Sequence, residues 1–291
     1  MPVPGRVSIL IPSRLEPHLS PTVSDVLAHA RGDIEILVVL DGWWSPSLPD
    51  DPRVSLLHWG SPRGLRPSLN AAVEMSSGEF LFKLDAHCSV AEGFDLTLKA
   101  ACEESDVVVP AKYSLDAPTW TRFRSPWHYF YLKWPWEPQA DGSVRFVGLQ
   151  DKNYDSAYST PRESVRVDDI LSYQGSAWML RRAWWNRILP DGMNPRYYYA
   201  QEPQEVGLTT WMSGGRCRIV KDTWYAHLWK GSGANKRLFS RERAPWDAAT
   251  RWSCRQWMRH PQFPALIERF GPLPGWPPEW AHDARRRRYV P

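Results

Sequence analysis

Val7-Ser8-Ile9-Leu10-Ile11 is a short apolar run stopped by Pro12, too unbroken to leave one face in water. Such a run reads as a strand buried on both sides, and strands of that kind belong to parallel sheets covered by helices. The pattern recurs. Residues 20–31 carry a weak helical period, with Ser20 as N-cap and Pro21 at the first helical position. Residues 34–40 read as a second buried strand, ended by Asp41-Gly42, and 53–58 as a third. Within 65–76, Leu65, Leu69, Ala72 and Val73 share a helical face, and Gly78 follows its end. A fourth strand, 80–84, stops at Asp85; a helix at 93–103 and a strand at 106–109 follow. This β-α-β-β-α-β order predicts an α/β fold with a mostly parallel central sheet flanked by helices.

In such sheets ligands sit beyond the carboxyl ends of the strands, where Asp41 and Asp85 both fall. A carboxylate at that place needs a cation or hydrogen-bond donors, so both are candidate site residues. Asp85 and His87 lie two apart directly after a strand, so an extended chain points both side chains the same way. One hard oxygen and one imidazole suit a divalent ion such as Mn²⁺ (or Mg²⁺), which can bridge a diphosphate. Taken alone, the tripeptide also fits a plain surface turn.

Further along, residues 111–170 lose the rhythm. They hold Trp120, Trp127, Trp134 and Trp136 and read as an irregular insertion over the sheet, with a hairpin at 144–149. Regular structure returns at 173–180, with helices near 183–188 and 201–212, a last strand at 217–220 and a helical pattern over 240–260. Residues 261–291 are Pro-rich, end near four Arg and read as an extended tail behind one domain spanning 1–260.

The 291 residues, 43% of them apolar, suffice for one large α/β domain. The 18 Trp exceed what a core takes, so some should line grooves, where flat faces stack on sugars or bases. Net charge is only +4, but Arg gathers in the second half, at 181–182, 241–243, 251–259 and 285–288, which fits an anionic partner. The four Cys form no C-x-x-C, which argues against a zinc ribbon or a redox dithiol. Residues 1–6 lack a signal-peptide pattern, and no apolar run nears the roughly 20 residues of a membrane span. Together these read as a soluble protein of a reducing cytoplasm, the host's if the source is viral.

The stretch from Arg63-Gly64-Leu65-Arg66 through Ser77-Gly78-Glu79 to Leu84-Asp85-Ala86-His87-Cys88 resembles glycosyltransferases of the GT-A fold. Family 2 members carry D-x-D after the same helix, Gly-Glu and strand. The polypeptide N-acetylgalactosaminyltransferases carry L-D-A-H-C, matching Leu84 to Cys88 letter for letter. The likeness extends to Ile11-Pro12-Ser13 with Glu16, to Val38-Val39-Leu40-Asp41-Gly42, to Gly175-Ser176-Ala177-Trp178, to Glu202 and Glu205 ahead of Trp211 and Gly214-Gly215, and to Tyr225-Ala226-His227-Leu228. It spans roughly 6–255, leaving 111–170 unmatched.

The resemblance implies a set of roles. Asp85, His87 and His227 would hold Mn²⁺, with Asp85 catalytic through that ion. Pro12, Ser13 and Glu16 would form the nucleotide-binding turn, and Asp41 would contact the uracil or ribose. Arg63, Arg66 and Ala86 would line the donor, Arg66 meeting its phosphate or the Asp85 carboxylate. Gly175 and Trp178 would pass under the donor sugar. Glu202 would contact that sugar or accept the acceptor's proton, and Glu205 would be a structural helix residue. His227 also fits a histidine satisfied beside Trp224 and Trp229, and Glu202 a carboxylate favoured by a helix dipole.

Departures bear on specificity. Gln201-Glu202-Pro203-Gln204 replaces G-G-E-N, so the sugar pocket differs and the donor is hexosyl or N-acetylhexosaminyl. The sequence shows no lectin domain and no membrane anchor. Lys230-Gly231-Ser232-Gly233 reads as a loop hinge or a surface turn. Pro12-Ser13-Arg14-Leu15 stands where sugar-phosphate nucleotidyltransferases carry a Gly-rich loop. The expected activity is metal-dependent transfer from a nucleotide-diphosphate sugar, UDP-linked, to a hydroxyl. Arg clusters and Trp faces suit a nucleic-acid acceptor, such as a hydroxymethylated base in viral DNA. The alternatives are a saccharide, small-molecule or protein acceptor, or a sugar-nucleotide-binding module without turnover.

Overall fold

The computed structural model describes residues 1–45, 47–231, 236–240 and 243–280. The first half runs β1 (Val3–Ser13), α1 (Leu19–His29), β2 (Ile34–Asp41), β3 (Val54–Trp59), α2 (Leu65–Met75), β4 (Gly78–Leu84), β5 (Cys88–Val90), α3 (Phe94–Ala101) and β6 (Asp106–Asp116). Short pieces follow: β7 (Thr121–Trp127), β8 (Phe130–Leu132), β9 (Trp136–Pro138), β10 (Val144–Phe146), β11 (Asp151–Asn153), α4 (Ser156–Ser159) and β12 (Val167–Asp169). The chain then builds β13 (Ala177–Arg181), α5 (Arg182–Ile188), α6 (Glu202–Met212), β14 (Arg216–His227), α7 (Arg243–Met258) and α8 (Phe263–Phe270).

The main sheet has the order β12-β14-β6-β13-β4-β1-β2-β3, with β5 on β14 and β7 on β6. Strands β1 to β4 pair in parallel, as do β6 and β14, while β13 runs antiparallel between β4 and β6. Alternation along β1 sends Ile9 and Ile11 into the layer under α1 and α3, and Leu10 into the layer with α2, α5 and α6. Because both faces are covered, every residue of that run must be apolar or bonded, which is why the sequence shows no polar stripe. No helix among the described residues is long and apolar enough to cross a membrane.

Several expectations are corrected. Helix α1 starts at Leu19, so His18, not Ser20, occupies the cap, and Pro21 sits in the first turn, where its missing N–H is harmless. The region 111–170 is less irregular than its composition suggests. Strand β6 runs on to Asp116 and β7 folds back on it, while β8 pairs with β11. No hairpin lies within 144–149: Val144–Phe146 is a single strand, and it pairs back onto Trp136–Pro138. Three-residue strands leave too short a period to read from sequence.

The segment after 260 is not an extended tail where it is described. Helix α8 places Phe263, Leu266, Ile267 and Phe270 on one face at helical spacing, and all are buried in the larger core. Trp276 and Trp280 follow them, with Trp276 at 5.1 Å from Trp134 in an edge-to-face contact. Much of the Trp surplus is thus spent on core, at about 1.5–3 kcal/mol for each large side chain buried. The basic run 285–288 lies outside the described residues. All four cysteines are buried and unpaired.

Candidate active site

Strand β4 is apolar except at Lys83. The two-residue period that turns Phe80, Phe82 and Leu84 to one layer turns Lys83 and Asp85 to the other, at the carboxyl end of the sheet. Strand β14 arrives there from 142 residues away. Its last residues pair with β5, His227 opposite Cys88, so His227 and His87 face each other. The ring centroids are 4.7 Å apart. Asp85 Oδ2 lies 3.2 Å from His227 Nε2 and 3.9 Å from His87 Nε2.

These three residues offer ligand atoms that all lie within 4.8 Å of one another. His87 Nε2 and His227 Nδ1 are buried with no hydrogen-bond partner. An orphaned buried nitrogen costs about 1–3 kcal/mol unless a ligand fills its lone pair. Burial, against the pull of Asp85, pushes His227 down to about 3, so it stays neutral, as a metal ligand must. Burial opposes ionisation of Asp85, yet Lys83 and both imidazoles hold it well below the usual carboxylate range. One carboxylate and two neutral imidazoles suit a divalent ion of borderline character such as Mn²⁺.

Around this triad the polar groups interlock. Lys83 Nζ donates to Asp85 Oδ1 and to the Gly175 carbonyl, and lies 4.0 Å from Glu202 Oε2. Burial disfavours its charge, but Asp85 and Glu202 outweigh that and raise its pKa. His87 Nδ1 faces Glu16 Oε2 at 3.0 Å, an orientation that leaves Nε2 aimed at Asp85. Glu16 Oε1 accepts from Lys230 Nζ at 2.8 Å. Glu202 opens α6 and is buried, Oε1 accepting from Trp178 Nε1. Burial, opposed by Lys83 and Trp178, pushes Glu202 up to about 6. Gly175 is glycine for a local reason: a Cβ there would collide with the Glu202 carboxylate.

Above the triad opens a cavity of about 530 Å³, within the usual range for small-ligand sites. Of the residues singled out in the sequence, Pro12, Ser13, Glu16, Asp41, Asp85, Ala86, His87, Gly175, Glu202 and His227 line it. Asp41 accepts from the backbone N–H groups of Arg63 and Gly64, and so pins the turn before α2.

Three expected residues do not line it. Arg66 is fully buried, and its guanidinium pairs with Glu205 and the Ala200 carbonyl rather than with Asp85 or a phosphate. A guanidinium with no water around it needs a carboxylate, and α6 brings Glu205 to it. Arg63 lays its side chain over the Trp59 ring at 4.6 Å, and only its backbone serves the site. Trp178 packs in the core and reaches the site only through its bond to Glu202. Sequence reasoning missed Lys83, Asp151, Gln174, Lys230 and Arg237, which also line the cavity. A lysine inside an apolar strand was a visible signal for the first; the others sit in loops and short strands without one. The expected hinge begins at Lys230, which is buried against Glu16, while Ser232 and Gly233 lie outside the described residues.

A parallel-rich α/β sheet thus presents at its strand ends an Asp-His-His cluster beneath a cavity of ligand size. Residues 8–228 match the family model described as Glycosyl transferase family 2, and the chain belongs to that family. Its fold is the GT-A glycosyltransferase fold. The crystal structure of GalNAc-T7 with UDP, GalNAc and Mn²⁺ superposes with TM-score 0.62 at 15% identity, covering 90% of this chain and 48% of that one. TarS of S. aureus gives TM-score 0.56 at 12% identity, covering 91% of this chain and 42% of that one. The chain thus spans less than half the length of either structural neighbour. No curated protein sequence matches it.

Proposed function

We propose that this glycosyltransferase moves a hexosyl or N-acetylhexosaminyl group from a UDP-sugar to a hydroxyl acceptor with the help of a divalent ion, Mn²⁺ or Mg²⁺. The observation that carries this reading is the convergence of Asp85 Oδ2, His87 Nε2 and His227 Nε2, two of them nitrogens of imidazoles with an unbonded buried atom. These three residues would hold the ion. When bound, it supplies positive charge against the departing diphosphate. The choice of UDP and Mn²⁺ draws on GalNAc-T7, which was solved with both.

Within the chain, the residues divide the work. Glu16 orients His87 and anchors Lys230. Asp41 fixes the turn that faces the base and ribose. Arg237 lines the cavity and donates to the Lys230 carbonyl at 3.1 Å, adding a cation where a diphosphate would lie. Glu202 faces the sugar side, held by Trp178 and Lys83. Lys83 is buried between the two carboxylates and favours the ionised form of both. Four buried free thiols support a reducing compartment.

Among acceptors, the described surface favours a saccharide over nucleic acid. Arg181 pairs with Glu79 and Arg182 with backbone carbonyls, so that part of the basic bias is spent internally. The test is thermal shift. UDP with Mn²⁺ at 100-fold over Kd should stabilise the protein by roughly 2.7 kcal/mol. Asp85→Ala should abolish that shift and cut transfer by more than about 100-fold. An Asp85→Ala protein that keeps both would remove the metal assignment.

A further inference from the structure

A second cavity of about 560 Å³ adjoins the donor cavity, and Asp151, Gln174 and Trp229 border both. The walls of the second cavity come from the region 111–170 and are aromatic and basic. Phe123 and Trp127 line it, as does Trp229, which is 66% exposed. Lys112, Arg124 and Lys152 supply cations. Lys112 is buried, its Nζ bonded to Gln174 Oε1 and 4.6 Å over the Trp127 ring. Flat aromatic faces beside polar groups fit a pyranose ring. Three cations against one carboxylate select a ring that carries negative charge.

Asp151 stands apart from the other carboxylates of the donor cavity. Glu16 is held by Lys230 and His87, Asp41 by two backbone N–H groups, Asp85 by Lys83 and His227, and Glu202 by Trp178 with Lys83 beside it. Beside Asp151 stand its own backbone N–H and the Gln174 and Gln204 amides, which favour its ionised form, and Lys112 acts on it only through space. No ion pair within 4.0 Å engages it among the described residues. Burial raises its pKa against the pull of these bonds. A carboxylate aimed by amides rather than neutralised by a cation is free to take up a proton.

We propose that the second cavity is the acceptor subsite, that it takes an anionic saccharide, and that Asp151 receives the proton of the acceptor hydroxyl. This rests on the sugar-nucleotide reading of the first cavity. The acceptor oxygen bonds to the anomeric carbon as the bond from that carbon to the diphosphate oxygen breaks. The electron pair leaves on the nucleoside diphosphate, and the hydroxyl proton passes to the Asp151 carboxylate. A base on the acceptor side, with no covalent intermediate, inverts the anomeric configuration.

The experiment supplies the UDP-sugar accepted by the wild type, with Mn²⁺, and four acceptor probes. These are 4-nitrophenyl glucuronide, glucose 6-phosphate, 4-nitrophenyl glucoside and a single-stranded oligodeoxynucleotide. An anionic sugar should be glycosylated with KM at least about 10-fold below that of the neutral glucoside, and NMR of the product should show an inverted linkage. Asp151→Asn should lower kcat by more than about 100-fold while keeping the thermal shift by UDP and Mn²⁺. Asp151→Glu should recover part of kcat and move its acid limb. A retained configuration, or an Asp151→Asn enzyme with wild-type kcat, overturns the role of Asp151. Equal use of the neutral glucoside, use of the oligonucleotide alone, or donor turnover without glycosylation of either anionic sugar overturns the acceptor class. A wild type with no UDP shift refutes the donor reading instead, and is told apart by that measurement.

Discussion

The donor half and the region 111–170 are held together in different ways. The donor half rests on β1, β2 and β4, covered on both faces, with several of its charged groups buried and paired. Arg66 and Glu205 are the clearest case, with side chains 0% and 8% exposed. Much of the region 111–170 consists of short hairpins whose Tyr129, Tyr131, Leu132 and Leu149 reach the larger core, with exposed ion pairs at its margin. Arg166 and Asp222 at its end pair at 2.8 Å with 77% and 34% exposure. Long strands covered on both faces hold buried pairs in fixed positions, while short pieces between them change at little cost.

That contrast can be broken or sharpened by three measurements. Arg66→Ala leaves Glu205 buried without its cation and should cost about 3–5 kcal/mol in denaturant unfolding. Removing Glu205 as well should recover part of the loss; a loss under about 1 kcal/mol would erase the distinction. Next in size is the pH dependence of Glu202. Its folded pKa of about 6 lies above the ordinary 4.5, so the folded state binds the proton more tightly. Stability from that proton is fully present below pH 4.5 and is lost as pH rises through 6. The span is worth roughly 2 kcal/mol. Wild type and Glu202→Gln unfolded at pH 4.5 and 7 should diverge by that amount, the variant losing less. The smallest effect belongs to Arg166→Ala. Solvent screens so exposed a pair, so the unfolding midpoint should barely move, and less so in high salt.

Local patterns carried much of this protein. The order of strands and helices up to β6 followed from unbroken apolar runs, because a strand covered on both faces leaves no other composition. The pairing of Asp85 with His87 on one side followed from their spacing, and His227 entered through a motif likeness. The short hairpins at 121–153 were not legible, since three residues cannot display a period. The packing of 261–280 was hidden behind its prolines, although Phe263, Leu266, Ile267 and Phe270 hold helical spacing.

The sequence by itself determined that a carboxylate and an imidazole would stand together at the end of a buried strand. Only the tertiary structure decided what surrounds them. It brought His227 across 142 residues to 3.2 Å from Asp85, turned Arg66 away to Glu205, and set Asp151 between two cavities. The physical reason is range. Periodicity is fixed by neighbours along one strand or helix, whereas a buried charge takes whichever partner the packed faces bring within bonding distance.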